Sequence, residues 1–334
     1  GITEGPIHRV MQRGLLGRSG DDHKRLRRLV SRSFTPRAAD RWRPTMREQL
    51  ADLWAALDGA TSFDAMEALA RPFPSRMIAL NVGAPVTDAA LLRRYSAIIQ
   101  QRLDIQALQT RRSEIEDGTA AFEAYVEQLV EDHRRSPKDD LVTELIDTEV
   151  DGDRLDTDDV VSLVMAMLSG GIDTTENQLA HGLRLFAEHP DQWKLLANDP
   201  GLARAAADEV LRFEPVSPFT VRIVRDEVTY RDVVFPSGTI VLVCTWTANR
   251  EGRDDARPSE FDITADRGTD RPLSFGAGPH YCLGAGLAWA ELEEAFAFLA
   301  PKMPGLHLDG DVEWGNPIGI YDIVSLPLAF TPKY

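Results

Sequence analysis

The chain has 334 residues, 43% of them hydrophobic, with 53 acidic against 37 basic side chains and a formal charge of −16. That length allows one large domain or two medium ones, and the acidity argues against a nucleic-acid binder. No apolar run reaches the roughly 18 to 20 residues of a membrane span, and Gly1 to Gly20 shows no charged-then-apolar leader, so a cytoplasmic protein with no membrane partner is expected.

Charge is unevenly spread. Between Arg18 and Arg47 ten Lys and Arg side chains face only Asp21, Asp22 and Asp40. Such a face is either a solvated helix surface or a docking patch that steers an acidic partner. Within it Leu26, Leu29, Val30 and Phe34 keep a helical period, and Pro36 breaks the run. His23 and Arg27, four apart, share one face of that helix. A second helix carries Trp42, Met46, Leu50, Leu53, Trp54 and Leu57 and stops at Gly59. From about 63 to 150 helical segments follow one another, broken at Gly83-Ala84-Pro85 and near Ser136-Pro137. The stretch from 86 to 135 carries no legible chemistry.

Thr157 to His189 is the longest helical pattern, apolar on most faces through Val160, Val161, Leu163, Val164, Met165, Met167 and Leu168. Its centre reads Gly170-Gly171-Ile172-Asp173-Thr174-Thr175. Two interior glycines cost about 1 kcal/mol each relative to alanine, and a buried acid costs more unless it has a partner or a task. Either this is a functional site or a simple kink, with Thr174 bonded back to a carbonyl. Glu209 and Arg212, three apart, can pair on one face of a helix that ends at Pro215. After Pro218 the texture changes to strands at Thr220 to Val224, Val228 to Tyr230 and Thr239 to Thr245, with Pro236-Ser237-Gly238 as a turn. Cys244 falls in an apolar run that reads as a buried strand, so it is assigned to the core. From Leu306 onward the chain is again strand-like.

The second cysteine, Cys282, lies in Ser274-Phe275-Gly276-Ala277-Gly278-Pro279-His280-Tyr281-Cys282-Leu283-Gly284. Glycines here allow close approach to a flat ligand. Leu287, Ala288, Leu292, Ala295, Phe296 and Leu299 follow at helical spacing, so the sulfur stands at a helix N-terminus, which favours a thiolate. With no second metal-binding cysteine nearby, haem iron suits it better than zinc. A buried small hydrophobe is the plainer alternative, but it leaves the glycines unexplained.

The pattern Phe275-x-x-Gly278-x-His280-x-Cys282-x-Gly284 resembles the cysteine-ligand loop of the cytochrome P450 superfamily, here of the soluble, bacterial, haem-thiolate monooxygenase type. The resemblance implies a mainly α fold with small β-sheets, a triangular helical prism around a long central oxygen-groove helix. It implies a single domain over 1–334, helix-rich at 21–215 and 285–301, with β regions at 219–245 and 305–331. Haem b, iron protoporphyrin IX, is the implied cofactor, with Cys282 as its metal ligand. Phe275, Gly276, Gly284, Gly170 and Gly171 are implied around the haem, and His23, Arg27, Arg222 and His280 at its propionates. Asp173 and Thr174 take the proton-relay roles, and Glu209 with Arg212 is the structural pair. Ile172, Pro218, Phe219, Thr220, Val221, Ile318 and Ile320 are placed at the substrate.

The implied reaction inserts one atom of O2 into a small, largely apolar molecule, by hydroxylation or epoxidation. Gly276-x-Gly278 and Gly284-x-Gly286 both lack the third glycine of a dinucleotide fingerprint. Electrons are therefore expected from a ferredoxin and its reductase, docking at Lys24, Arg25 and Arg28. A peroxide-using peroxygenase, a non-catalytic haem sensor or carrier, and a helical scaffold without cofactor are the alternatives. The chain also departs from the pattern. Relatives are expected to run longer at the amino end, Ser19-Gly20 stands where prolines are usual, and Trp289 where an arginine is usual.

Overall fold

The computed structural model describes residues 4–251, 257–268, 272–315 and 319–331; of the expected site residues, Ile318 lies outside them. The chain opens with helices α1 (Gly5–Arg13), α2 (Gly20–Val30), α3 (Pro36–Asp40) and α4 (Arg43–Ala55). In α2, Asp21 and Asp22 in the first turn and Arg27 and Arg28 in the last complement the helix dipole. A short strand β1 (Ser62–Asp64) precedes α5 (Pro72–Val82), α6 (Ala89–Gln100), α7 (Ile105–Thr110) and α8 (Arg112–Arg135). At 24 residues α8 is the longest unbroken helix described. Next come α9 (Leu141–Asp147) and a hairpin of β2 (Glu149–Val150) and β3 (Asp153–Arg154).

The expected long helix over 157–189 is two helices, α10 (Thr157–Gly171) and α11 (Asp173–Glu188), parted at Ile172. The cause lies in competition for carbonyls. Gln100 Nε2, from α6, donates to Ser169 O at 2.9 Å, with Ser96 Oγ 3.1 Å from the same carbonyl, and Thr174 Oγ1 donates to Gly170 O at 2.5 Å. Side chains inserted into the helical ladder are a standard origin of kinks. Asp156 caps α10 by accepting from Asp159 N at 2.7 Å, so the helix start is fixed as well.

Helices α12 (Pro190–Asn198) and α13 (Ala203–Phe213) lead to strands β4 (Phe219–Ile223), β5 (Val228–Tyr230), β6 (Val233–Phe235) and β7 (Ile240–Cys244). These form two separate antiparallel pairs, β4 with β7 and β5 with β6. The expectation that the β7 run is buried does not hold. Ile240 is 63% and Leu242 58% exposed, and Cys244 is half-buried, its sulfur 3.0 Å from Thr247 Oγ1. A two-stranded sheet with neither face covered cannot bury its side chains, however apolar they are. After α14 (Thr245–Ala248) and α15 (Ala285–Leu299), the chain ends in β8 (His307–Leu308), β9 (Glu313–Trp314), β10 (Ile323–Ser325) and β11 (Pro327–Ala329). Strand β11 lies between β1 and β8, tying the chain's end to its first third.

Two apolar cores result. One joins α2, α5, α6, α8, α9 and α10 through residues such as Leu26, Phe122, Val130, Val164 and Leu168. The other joins α4, α11, α12, α13 and α15 through Met46, Leu183, Phe186, Trp193, Val210 and Phe296. The chain passes from the first to the second at the break between α10 and α11. Helices α11, α13 and α15 approach closely at Gly182, where an added Cβ would meet Phe296 Cζ at 2.4 Å and Val210 Cγ1 at 3.3 Å. Phe296 is wholly buried and has no room to swing away. Alanine would gain about 1 kcal/mol of helix propensity, but overpacking costs about 1–3 kcal/mol. Gly182→Ala is therefore expected to lose up to about 2 kcal/mol net by these same terms, read as a lower urea midpoint at unchanged slope.

Candidate functional site

Asp173 and Thr174 open α11 at the seam between the cores. Thr174 Oγ1 donates to the Gly170 carbonyl, leaving its lone pairs free to accept. The Asp173 carboxyl accepts from Ser96 Oγ at 2.7 Å. Burial pushes this carboxyl up to about 7, aided by the charges of Glu176 and Asp322 and opposed by the Ser96 bond and Arg93. A neutral hydroxyl is a weak counterweight to desolvation. One turn on, Glu176 is matched by Arg93 at 2.9 Å and Arg71 at 3.4 Å. Gly170 has nothing within 4 Å of its Cβ position, so it opens on free space. Gly171, expected beside it at the cofactor, instead faces Ile78 Cδ1 at 3.1 Å and serves helix packing.

The cysteine loop is braced from behind. Asn249 Nδ2 donates to Ser274 Oγ at 3.0 Å, Leu273 N donates to Asn249 Oδ1 at 2.7 Å, and Ser274 Oγ donates to Leu211 O at 2.5 Å. Leu211 belongs to the helix that carries Glu209 and Arg212. These two form a bidentate pair at 2.7 and 2.8 Å, both buried, and Arg212 also reaches the carbonyls of Asn249, Pro258 and Glu260. Phe275 packs edge-on against Trp289 at 4.8 Å, and its carbonyl accepts from Cys282 N at 2.9 Å. Gly276 and Gly278 have φ of 71° and 77°, a region closed to most residues, which turns the loop back over itself.

Cys282 keeps accessible surface, although protein packs around its thiol. Burial pushes its thiol up; bonds from the Gly284 and Ala285 N–H groups and the charge of Arg27 pull it down, and burial prevails. The N–H groups at the helix start thus favour the thiolate, as expected, without outweighing burial. A bound metal cation would deprotonate the thiol outright. Around it Gly276, Gly278 and Gly284, like Gly170, have nothing within 4 Å of their Cβ positions.

His23 and His280 are in contact, their ring centroids 4.0 Å apart and their planes tilted by 37°. His23 is buried, and its Nε2 has no hydrogen-bond partner among the described residues. Arg27 is drawn down by burial, which the nearby Cys282 offsets only in part, and it has no carboxylate partner among the described residues. An orphaned ring nitrogen beside an unpaired guanidinium calls for an anion. Arg222 is not brought to this pair: it lies on exposed β4, donates to Val221 O at 2.9 Å, and borders a shallow groove with Tyr230 and Phe235.

Among the residues assigned to the substrate, Ile172 is fully buried in the first core and faces no free space. Phe219 and Val221 are exposed on β4, while Pro218, Thr220 and Ile320 are half-buried. Arg25 and Arg28 do not stand free for an acidic partner. Arg25 pairs with Asp153 and Asp159, and Arg28 with Asp151 and Asp153, all at 2.9–3.0 Å. Their partners come from the β2–β3 hairpin and the start of α10, far away in sequence. Lys24 pairs with Asp21 at 3.0 Å, both exposed, a contact of little energetic weight. Ser96 was the residue that sequence reasoning missed. Nothing in its local pattern marks it, because only the packing of α6 on α10 brings it to Asp173.

These features fit a haem: an accessible cysteine, glycines that leave room for a flat ring, and an orphaned histidine nitrogen with an uncompensated arginine for its acid groups. The site is of the haem-thiolate class. A family model described as Cytochrome P450 matches residues 5–200 and 192–299. Luteothin monooxygenase of Streptomyces thioluteus is 34% identical over 334 residues, 99% of this chain and 81% of that protein. Epothilone D-bound cytochrome P450epoK has 30% identity and a TM-score of 0.90, over 98% of this chain and 82% of that one. P450BioI in complex with a hexadec-9Z-enoic acid ligated acyl carrier protein has 28% identity and a TM-score of 0.88, over 98% and 84%. The chain belongs to the cytochrome P450 family and is one of its haem-dependent monooxygenases. No helix among the described residues is long and apolar enough to cross a membrane.

The raised Asp173 carboxyl has a consequence for stability. Its folded value of about 7 lies above the ordinary aspartate value, so its contribution is fully present below about pH 4 and is lost as pH rises through 7. Asp173→Asn removes the cost of burying the charge. The variant is expected to be more stable than the parent by about 1–4 kcal/mol at pH 8 and equal to it near pH 4, as read by urea unfolding at both.

Proposed function

We propose that the chain acts as one domain that inserts one oxygen atom from O2 into a small, largely apolar organic molecule, by hydroxylation or epoxidation. Haem b is the cofactor, and a ferredoxin-type carrier supplies the electrons. The observation that carries this reading is the enclosed yet accessible Cys282, set in a braced glycine loop beside the His23, His280 and Arg27 cluster. Cys282 would hold the iron, with Phe275, Gly276 and Gly284 around the ring, and His23, Arg27 and His280 would hold its propionates. Arg222 joins them only by a change of its side chain. When bound, the haem activates O2 and supplies the oxidising chemistry.

The protein's own part is to place protons and exclude water. Asp173, poised near neutrality, can hold a proton at its carboxyl and release it at physiological pH. Thr174 Oγ1, whose hydrogen is committed to Gly170 O, can accept a hydrogen bond at the open side of the break. Glu209 and Arg212 act only as scaffold, holding Leu211 and thereby the loop. The Asp173 and Thr174 pair favours O2 over peroxide as oxidant, because peroxide arrives with its protons.

Two variants test the roles. Cys282→Ser is expected to lose the red-shifted ferrous carbon monoxide band of thiolate ligation; a parental spectrum would show another ligand. Thr174→Ala is expected to keep consuming reducing equivalents but to release peroxide, with product per electron pair down on the order of tenfold or more. Full coupling in that variant would remove Thr174 from the relay.

A further inference from the structure

The acid at the break between α10 and α11 has a partner outside its own helix. Ser96 lies on the buried face of α6 with Leu92 and Ile99, and none of it reaches solvent. Its Oγ stands 2.7 Å from Asp173 Oδ2 and 3.1 Å from Ser169 O. A serine has one hydrogen to donate and two lone pairs, so two such acceptors cannot both be served at once. The two distances describe two positions of one hydroxyl hydrogen.

With the hydrogen on Oδ2, Ser96 stabilises the carboxylate. With the hydrogen turned to Ser169 O, its lone pairs face Asp173 and can accept from the carboxyl O–H. The carbonyl has room for this second position, because it takes two donors and Gln100 Nε2, at 2.9 Å, uses only one. A buried hydroxyl left unbonded is costly, and here it is bonded in either protonation state of Asp173. The charged groups around Asp173 do not do the same. Arg93 on α6 and Arg71 just before α5 are paired with Glu176, while Glu176 itself and Asp322, just before β10, disfavour the carboxylate. Burial, opposed by the Ser96 bond, leaves this carboxyl at about 7.

We propose that Ser96 is a positioning residue for the reaction: its hydroxyl reverses between donor and acceptor as Asp173 loses and regains its proton, so the acid cycles without moving a heavy atom. The inference rests on the reading of Asp173 as the acid that holds and releases a proton, and deepens it. No electron moves in this step. One proton leaves the carboxyl, and one returns to it from solvent, to which Asp173, unlike Ser96, keeps some access.

The test uses the intact haem-loaded protein, Asp173→Asn, Ser96→Ala, and Ser96→Thr to restore the hydroxyl. Infrared difference spectra over about pH 5 to 9, spanning the titration of a raised carboxyl, follow its C=O and C–OH modes; the bands that Asp173→Asn removes belong to Asp173. In the parent they are expected to vanish with a midpoint near 7. Ser96→Ala should raise that midpoint by about one pH unit or more, because the bond to the charged form is the stronger of the two lost. It should also move the C–OH mode of the neutral acid, which responds to whatever the acid's own O–H donates to. The pH at which product per electron pair falls to half should rise with the midpoint, and Ser96→Thr should return all three towards the parent. A midpoint that stays in place, or a C–OH mode that does, overturns the proposal. Should the parent show no titrating band that Asp173→Asn removes, or a coupling profile that ignores it, the reading of Asp173 itself falls; with both in place, only Ser96 is at stake.

Discussion

Enclosing a lone sulfur is the constraint on which the rest of this molecule turns. Cys282 is held where burial disfavours its anion, and the two N–H bonds and one arginine that assist it do not suffice. A metal cation bound at the sulfur would favour the anion. The surroundings are built to keep that position available. The loop is pinned through Asn249 and Ser274 to α13, and α13 is pinned by Arg212 to three carbonyls of the following segment. Buried ion pairs contribute little net stability against apolar replacements, but breaking one leaves an uncompensated charge. Their role here is to fix geometry.

The facing side is organised by the same economy of backbone groups. Along α11, Asn177 Oδ1 accepts from Ile323 N, Gln178 clamps Glu214 O and Val216 N, and His181 Nε2 bonds Tyr321 O, all at 2.8–2.9 Å. Polar side chains spread over a helix buried on most faces would be costly without partners. Here they secure the segments leading into β4 and β10. Burial draws His181 down to about 4, so it stays neutral and serves as a fixed peg at physiological pH.

Local chemistry was legible in the sequence; long-range pairing was not. A cysteine among glycines and a Gly-Gly-x-Asp-Thr run are dense enough to be read without a fold, and each falls where free space is found, Gly171 and Ile172 excepted. The β4–β7 pair was located to within a residue, yet its burial was misread. An apolar run such as Ile240 to Cys244 looks the same whether or not something covers it. The cationic stretch was misread for a related reason. Arg25 and Arg28 show an excess of charge only until the hairpin at Asp151 and Asp153 folds against them. Ser96 lies 77 residues from Asp173, and no spacing rule spans that distance.

Two carboxylates one helical turn apart show why that serine matters. Glu176 is enclosed by two arginines, and its charge has nowhere to go. Asp173 shares the same helix, but its nearest donor is a neutral hydroxyl. The charge kept on Glu176 then raises Asp173 further, while Arg93, spent on Glu176, offsets only part of the effect. Unequal partners thus separate a structural acid paired with two arginines from one that can exchange its proton near neutrality, the division of labour that acid–base chemistry needs from a pair of like groups. An arginine in place of Ser96 would erase the distinction by holding Asp173 as a carboxylate. Because Ser96 and Gln100 lie on one face of α6, whatever displaces that helix also changes the proton affinity at Asp173.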